Sequence, residues 1–177
     1  MYPVIRLIGS AVRAHFAPET GIDEASEMSF ICRPWDIDMF FEMNNGRILT
    51  LYDLGRFDLA IRGGLMSVLR KKKWGLVVAG ASVRYRRRVR MFDKVTMRSK
   101  LAGFDERWVY ILQSMWVRGQ PTSSILLRTA VTRKGSTVPV SEILAEFNRP
   151  DWRMEPDGWI KDWIASEVVR EWPPGRS

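Results

Sequence analysis

The first quarter of the chain changes from a helical to an extended pattern of apolar residues. In residues 1–16 the apolar side chains of Val4, Ile5, Ile8 and Val12 fall on one face of a helix. Arg6 interrupts this stretch and no cleavage site follows it, so an amphipathic helix fits better than a signal peptide. We expect this helix to dock on the protein's own core, on a partner or on a membrane surface.

A polar, acidic linker over residues 17–27 separates this helix from a strand predicted over 28–33, which Pro34 ends. Helical spacing then dominates residues 46–69. Asn44 and Asn45 precede this stretch, and their amide oxygens can accept the free N–H groups of a helix start. The broad apolar surface implies an enclosed helix, and Gly63-Gly64 predicts a break or kink in it.

From Trp74 onward the pattern is that of strands. Turn signals separate four runs, at residues 75–85, 94–103, 108–117 and 124–133. Short connections require antiparallel neighbours, and apolar residues on both faces of the third run predict a strand covered on both sides. Residues 141–147 predict a short helix. Residues 157–172 predict a terminal amphipathic helix, whose buried side carries Ile160, Trp163, Ile164 and Val168.

Composition and charge limit the kinds of active site and ligand that the chain can have. The chain has 177 residues, which suits one domain, and it contains one histidine and one cysteine, His15 and Cys32. His15 lies far from any other catalytic signal, which disfavours a histidine-activated nucleophile. We expect no metal, because the residues offer no zinc cluster. The net charge of +8 favours a phosphorylated ligand or an anionic surface, and the lone cysteine fits a reducing, cytoplasmic setting.

Two motifs resemble those of hotdog-fold thioesterases of the hydroxybenzoyl-CoA type. The segment RPWDIDMFFEMNNGR is similar to their pattern D-x-D-x-x-G-H-x-N-N, which Asp36, Asp38, Asn44 and Asn45 match. In VVAGASVRYRRRVRMFDKVTM, a tyrosine and a turn aspartate stand where that family has them. The tracts MNNGR, DLGR and GFDERW resemble the subgroup named for thioesterase superfamily member six.

The resemblance implies an α+β hotdog fold, in which an antiparallel sheet of about 5–7 strands wraps round one long helix, with a C-terminal helix added. We expect a lead and linker over residues 1–27, the hotdog domain over 28–149 and a helical tail over 150–177. The family pattern also implies a homodimer joined edge to edge, with active sites at the interface. A tetramer remains an alternative.

The resemblance also assigns roles to the motif residues. Asp38 matches the catalytic carboxylate, which acts as general base or nucleophile, and Asn45 matches the residue whose backbone N–H polarises the thioester carbonyl. Glu42 replaces the motif histidine. It would raise the pKa of Asp38, serve as the working carboxylate, or face solvent. Phe41 and Phe92 stand where the family has glycine.

Substrate contacts are predicted at Asn44, Tyr85, Arg86 and Arg88. On a continuous strand, arginines 84, 86, 88 and 90 would share a face and could bind the phosphates of coenzyme A. A solvated strand end is the alternative interpretation.

The sequence therefore predicts an acyl-CoA thioesterase that needs no cofactor. A non-catalytic dimer that binds acyl thioesters or lipid is the main alternative. Peripheral membrane contact through residues 1–16 stays open. Dehydration of 3-hydroxyacyl thioesters is disfavoured by the placement of His15. Nucleic acid is not expected as a partner, because the arginine-rich strand lacks a platform for stacking bases.

Overall fold

The computed structural model describes residues 4–171 and Gly175. Within these residues the chain forms five helices: α1 (Val4–Phe16), α2 (Asn45–Arg62), α3 (Leu65–Lys72), α4 (Val140–Glu146) and α5 (Gly158–Val169). It forms six strands: β1 (Ser26–Ile31), β2 (Gly75–Tyr85), β3 (Lys94–Phe104), β4 (Val109–Val117), β5 (Gln120–Arg133) and β6 (Ser136–Thr137). The expected α+β order is confirmed, and position 172 of the predicted terminal helix lies outside the described residues.

The strands form one antiparallel sheet in the order β1-β3-β4-β5-β2, with β6 added beside β5. The sheet curls around α2, as the hotdog pattern predicts. The contact is closest at Gly55, where a Cβ atom would lie 2.6 Å from Ser99 Oγ and 2.9 Å from Gln113 Nε2. The core between helix and sheet includes Leu51, Tyr52, Leu54, Met97, Ile111, Met115, Ile125 and Leu127. Burial of this apolar surface is the main force that holds the helix in the sheet.

The long helix predicted over residues 46–69 is interrupted where the paired glycines stand. α2 ends at Gly63, whose N–H donates to the Leu59 carbonyl (2.8 Å), and Gly64 takes a left-handed φ of +79°. A non-glycine residue would be strained there, so the break follows from the glycine itself. α3 then leads away from the site, into a second apolar cluster around Trp74 and Leu144.

The prediction that β4 is covered on both sides holds for one face and for part of the other. One face packs against α2. On the other face, Tyr110 of β4 and Leu126 of the neighbouring β5 meet the fully buried Ile160 of α5, whereas Leu112, Ser114 and Trp116 line an open groove. The prediction that Val168 belongs to the buried side of α5 is wrong, because Val168 is 77% exposed. In the last turn of α5 it is Glu167 that faces the sheet, 14% exposed and 3.6 Å from Arg128 of β5, so the next residue, Val168, points away.

Helix α1 packs on the molecule with the face opposite to its apolar stripe. Its buried residues are Ser10 and Ala14. The apolar stripe faces outward, and its exposed members are Val4, Ile5, Ile8, Val12 and Phe16. The sequence predicts that this stripe docks on the protein's own core, on a partner or on a membrane surface, and the structure shows that the core does not cover it. None of the helices in the described part of the chain combines the length and apolarity needed to cross a bilayer.

Candidate active site at the start of helix α2

A buried ionic cluster fixes the loop that leads from β1 to α2. Asp36 is fully buried, and its Oδ2 accepts hydrogen bonds from Arg6 Nη1 (2.7 Å) and from the Arg33 backbone N–H (2.9 Å). Arg47 Nε lies 3.3 Å from the other carboxylate oxygen. The Asp36 carbonyl accepts the Asn44 N–H (2.9 Å). The first motif aspartate thus positions the loop and the helix start, and its buried carboxylate is occupied by these contacts.

The second motif aspartate, Asp38, opens a tight hairpin. Ile37 pairs with Met43, and the Asp38 N–H donates to the Glu42 carbonyl (2.9 Å). Asp38 Oδ1 accepts the N–H of Phe40 (2.8 Å), so this carboxylate also caps the turn. The side chain is half-buried, which leaves it accessible to a ligand.

Two phenylalanines occupy left-handed backbone positions next to this site. Phe41 has a φ of +59°, and Phe92 has a φ of +68°. These are the two positions at which the family pattern has glycine, the residue that adopts such angles without steric cost. In this chain the two positions thus take a backbone conformation that suits glycine while they carry phenylalanine.

The start of α2 supplies free backbone donors. Asn44 is the N-cap residue, and its Oδ1 accepts the Arg47 N–H (3.2 Å). Asn45 and Gly46 are the first helical residues, and N–H groups in a first turn have no partner within the helix. They lie at the positive end of the helix dipole, where an oxygen that develops negative charge is stabilised.

A small cavity of about 230 Å³ opens at this helix start. Its wall brings together five of the residues that the sequence singles out, namely Glu42, Asn45, Tyr85, Arg86 and Arg88. Met43, Ile48, Arg87 and Val89 complete the wall and were not identified from the sequence. Asp38 and Asn44 are not among the lining residues, although the hairpin joins the Asp38 backbone to that of Glu42.

Charge in the cavity is arranged around one ion pair. Arg88 Nε lies 2.8 Å from Glu42 Oε2, and the Glu42 side chain is 31% exposed. Glu42 is therefore only partly exposed and has a counter-ion. This argues against the interpretation that its side chain simply faces solvent. Its negative charge is offset within the cavity wall.

The four alternating arginines do not share one face, which corrects that prediction. The N–H groups of Arg86 and Arg87 both donate to the Thr122 carbonyl (2.8 and 3.0 Å), so the regular pairing of β2 ends at Tyr85. Arg84 consequently lines the outer face of the sheet, whereas Arg86 and Arg88 line the cavity. Alternation along a strand holds only while the strand continues.

Three other reactive side chains near the core are held in their neutral forms. Burial raises the pKa of the Cys32 thiol to about 11, which disfavours a thiolate nucleophile near neutral pH. Burial also raises the pKa of Tyr85, whose side chain lines the cavity. The pKa of Tyr52 is raised by burial as well, and its hydroxyl lies 2.8 Å from Ser123 Oγ. Within residues 4–171, no group of three His, Cys, Asp or Glu side chains could hold a metal ion.

Comparisons with known proteins identify the family and the fold. Residues 32–150 match the family model of the Thioesterase-like superfamily. A protein named THEM6 from Xenopus laevis is 29% identical over 136 residues, which are 75% of this chain and 66% of that protein. The chain thus spans just under two thirds of that relative's length.

Solved structures show the same fold. YbaW from Escherichia coli, described as a probable thioesterase, matches with a TM-score of 0.64 at 18% identity, over 70% of this chain and 96% of that one. A thioesterase from Thermus thermophilus, complexed with coenzyme A and Zn, has a TM-score of 0.60 at 20% identity, over 68% of this chain and 88% of that one. Because the family model covers well over half of the chain, this protein belongs to the Thioesterase-like superfamily.

Proposed function

We propose that the protein hydrolyses acyl-CoA thioesters in the cavity at the start of α2. The observation that carries the proposal is the meeting of free helix N–H groups, the Glu42 carboxylate and arginines around one opening, with Asp38 joined to Glu42 across the hairpin. Thioester hydrolysis requires each of these groups: a base for water, a donor for the carbonyl oxygen and cations for the phosphates of coenzyme A.

In the proposed reaction, Asp38 takes a proton from water, and the resulting hydroxide adds to the thioester carbonyl carbon. The oxygen that becomes negative accepts the backbone N–H of Asn45, a contact whose loss typically costs about 3 kcal/mol of transition-state stabilisation. The C–S bond then breaks, and the proton held by Asp38 passes to the departing sulfur. The products are a free acid and coenzyme A. Direct attack by the Asp38 carboxylate is the alternative route.

Most substrate contacts in this proposal come from the cavity wall, where Arg86 and Arg88 bind the phosphate groups of coenzyme A and Tyr85 contacts the part of the substrate nearest the thioester. Asn44, which caps α2 beside the wall, is the remaining proposed contact. The Thermus relative with coenzyme A bound supports this class of ligand. Because the Arg88 guanidinium is also paired with Glu42, phosphate binding would compete with that ion pair.

The test is coenzyme A release from a panel of short, medium, long and aromatic acyl-CoAs. We expect Asp38→Asn to lower turnover by at least about a hundredfold, as is typical when a general base is lost. The matched control is Asp151→Asn, an exposed aspartate outside the cavity, which should leave turnover unchanged. Full activity in Asp38→Asn would exclude that residue as the base. If Glu42→Gln lost activity instead, Glu42 would take its place.

We further propose that two copies pair through β2 and close the cavity. β2 lies at the end of the strand order and runs for 11 residues, with Val77 and Val78 exposed. A long, apolar and unpaired edge strand is a template for another strand. The cavity adjoins the end of β2 at Tyr85, so a second copy on this edge would lie beside it.

The exposed stripe of α1 favours a second candidate function, contact with a lipid surface. Ile5 and Phe16 are 86% and 82% exposed, and Phe40 and Phe41 at the hairpin tip are exposed as well. Apolar side chains next to arginines, on a protein with a net charge of +8, suit an anionic membrane surface. This function could accompany hydrolysis or replace it.

Sedimentation with phosphatidylserine-containing vesicles tests this second function. We expect Ile5→Ser/Ile8→Ser to abolish co-sedimentation. The matched control is Val168→Ser/Val169→Ser, which changes two equally exposed valines at the end of α5. Equal loss in both double variants, or none in either, would contradict a role for α1.

A further inference from the structure

The outer face of the sheet carries an open groove beside α5, on the opposite side from the candidate active site. Its volume is about 820 Å³. Tyr85 and Arg84 are neighbours in the chain, yet Tyr85 lines the active-site cavity and Arg84 lines this groove. The sheet itself therefore separates the two openings.

Strand pairing places a row of polar side chains across the groove. Arg84 pairs with Ser124, Ser124 pairs with Ser114, and Ser114 pairs with Arg98. Because neighbouring strands lie about 4.8 Å apart, the two arginines are separated by roughly 14 Å, with both serine hydroxyls between them. The row is a ladder of hydrogen-bond donors with a cation at each end.

The next row along the strands is apolar at its centre. Leu126 pairs across to Ser82 on one side and to Leu112 on the other, and Leu112 pairs with Lys100. Trp116 and Trp159 form further parts of the wall, and Trp159 is half exposed. A ligand in this groove would therefore meet cations and hydroxyls along one edge and apolar side chains along the other.

The polar groups are available for a ligand. No carboxylate within residues 4–171 forms an ion pair with Arg84 or Lys100, whereas Arg98 is held by Glu27 (2.7 Å). Trp116 Nε1 donates to Ser114 Oγ (2.8 Å), which leaves the Ser114 hydroxyl proton free to donate elsewhere. Among the described residues, the lining contains no acidic side chain.

We propose that this groove binds an amphipathic anion, a carboxylate or phosphate head group attached to an apolar body. The head group would lie over the serine row within reach of Arg84 and Lys100, where charge-assisted hydrogen bonds are strongest. The apolar body would lie on Leu112, Leu126 and Trp159. The proposal is independent of thioester hydrolysis, because no residue of the groove lines the active-site cavity.

Calorimetric titration with decyl phosphate, below the concentration at which it forms micelles, tests the proposal on the full chain. We expect decyl phosphate to bind at least about tenfold more tightly than either decanol or inorganic phosphate. Decanol lacks the anionic head group, and inorganic phosphate lacks the apolar chain. A parallel titration with decanoate distinguishes a phosphate preference from a carboxylate preference. Equal binding of decanol and decyl phosphate would overturn the proposal.

Single substitutions distinguish specific binding in the groove from a general attraction of anions to a basic protein. Lys100→Gln should weaken binding of decyl phosphate about tenfold, and Arg84→Gln should do the same. The matched control is Lys94→Gln. Lys94 lies on the same strand an even number of residues away, but it does not line the groove. Equal losses for Lys94→Gln and Lys100→Gln would overturn the proposal, as would a change in molecular mass that shows a second copy in the groove.

Discussion

Phe41 and Phe92 carry large side chains at backbone positions whose φ angles favour glycine. Both have positive φ angles, both are exposed (83% and 65%), and neither contributes to the core. A large side chain in the left-handed region costs on the order of 1 kcal/mol relative to glycine. Neither backbone conformation nor core packing accounts for phenylalanine at these two positions. We therefore infer that the two rings contact something outside this chain.

We expect Phe41→Gly and Phe92→Gly each to raise the free energy of unfolding by up to about 1 kcal/mol, because the strain is relieved and no buried contact is lost. Urea denaturation measures this. The control is Phe40→Gly, since Phe40 is also exposed but does not have a positive φ. That change should destabilise the protein by making the unfolded chain more flexible. Destabilisation in all three variants would show that the rings of Phe41 and Phe92 make stabilising contacts.

The sequence indicated single motif residues better than their partners. Asn44 could be recognised as a helix cap, because capping is local in the chain, and the structure shows the bond to the Arg47 N–H. The pairing of Arg6 with Asp36 could not be recognised, because 30 residues separate them and nothing in the amphipathic pattern marks Arg6 as buried. Contacts of this kind depend on how whole elements pack.

Helix α1 is attached to the molecule by a buried ionic contact as well as by packing of Leu7 and Ala14. Its apolar stripe faces outward, while Arg6 donates to Asp36 Oδ2 (2.7 Å) and to the Ile31 carbonyl (2.6 Å). The Arg6 side chain is only 9% exposed, and Asp36 is fully buried. The helix and the active-site loop therefore share one ionic contact.

We expect Arg6→Met to destabilise the protein by about 3 kcal/mol, because it leaves part of a buried negative charge without a partner. The matched control is Arg133→Met, which removes an exposed ion pair with Glu142 (2.7 Å) and should cost less than about 1 kcal/mol. Thermal or urea unfolding gives both values. Similar losses in the two variants would mean that Asp36 is adequately compensated by Arg47 alone.

Element boundaries followed the sequence where the signal was local. β2 has the predicted bounds, and the Gly63-Gly64 break appears as expected. The errors arise where packing decides. β5 starts at Gln120, four residues before the predicted start, because it pairs with β4 up to Val117. Val168 is exposed because the neighbouring Glu167 takes the side of α5 that faces Arg128 of the sheet.

At the scale of the whole molecule, the succession of one enclosed helix and then antiparallel strands was enough to predict a helix lying on an antiparallel sheet, whereas the wrapping of the sheet round the helix came from the family resemblance. The family motifs made the hotdog topology specific. The sequence could not show that the outer face would be divided between α5 and an open groove. That division depends on where residues 157–171 cross the sheet, and no periodicity in the chain encodes the crossing point.

Pairing through β2 makes a prediction at this scale. The chain has a mass of 20.5 kDa, and light scattering should give about twice this value for the parent protein. We expect Val77→Lys/Val78→Lys to yield a folded monomer, because two lysines on a strand edge disfavour strand pairing. Val168→Lys/Val169→Lys should remain paired. A monomeric parent, or a β2 variant that stays paired, would contradict the proposed interface.

The position of α5 also limits where a second molecule can pack against the outer face of the sheet. Two sheets that stack face to face lie about 10 Å apart, and a helix with its side chains is about 10–12 Å across. α5 fills that space over Tyr110 and Leu126. Two molecules therefore cannot stack directly sheet against sheet over Tyr110 and Leu126. If two copies pair through β2 as proposed, α5 acts as a spacer that directs any further contact between pairs to other surfaces.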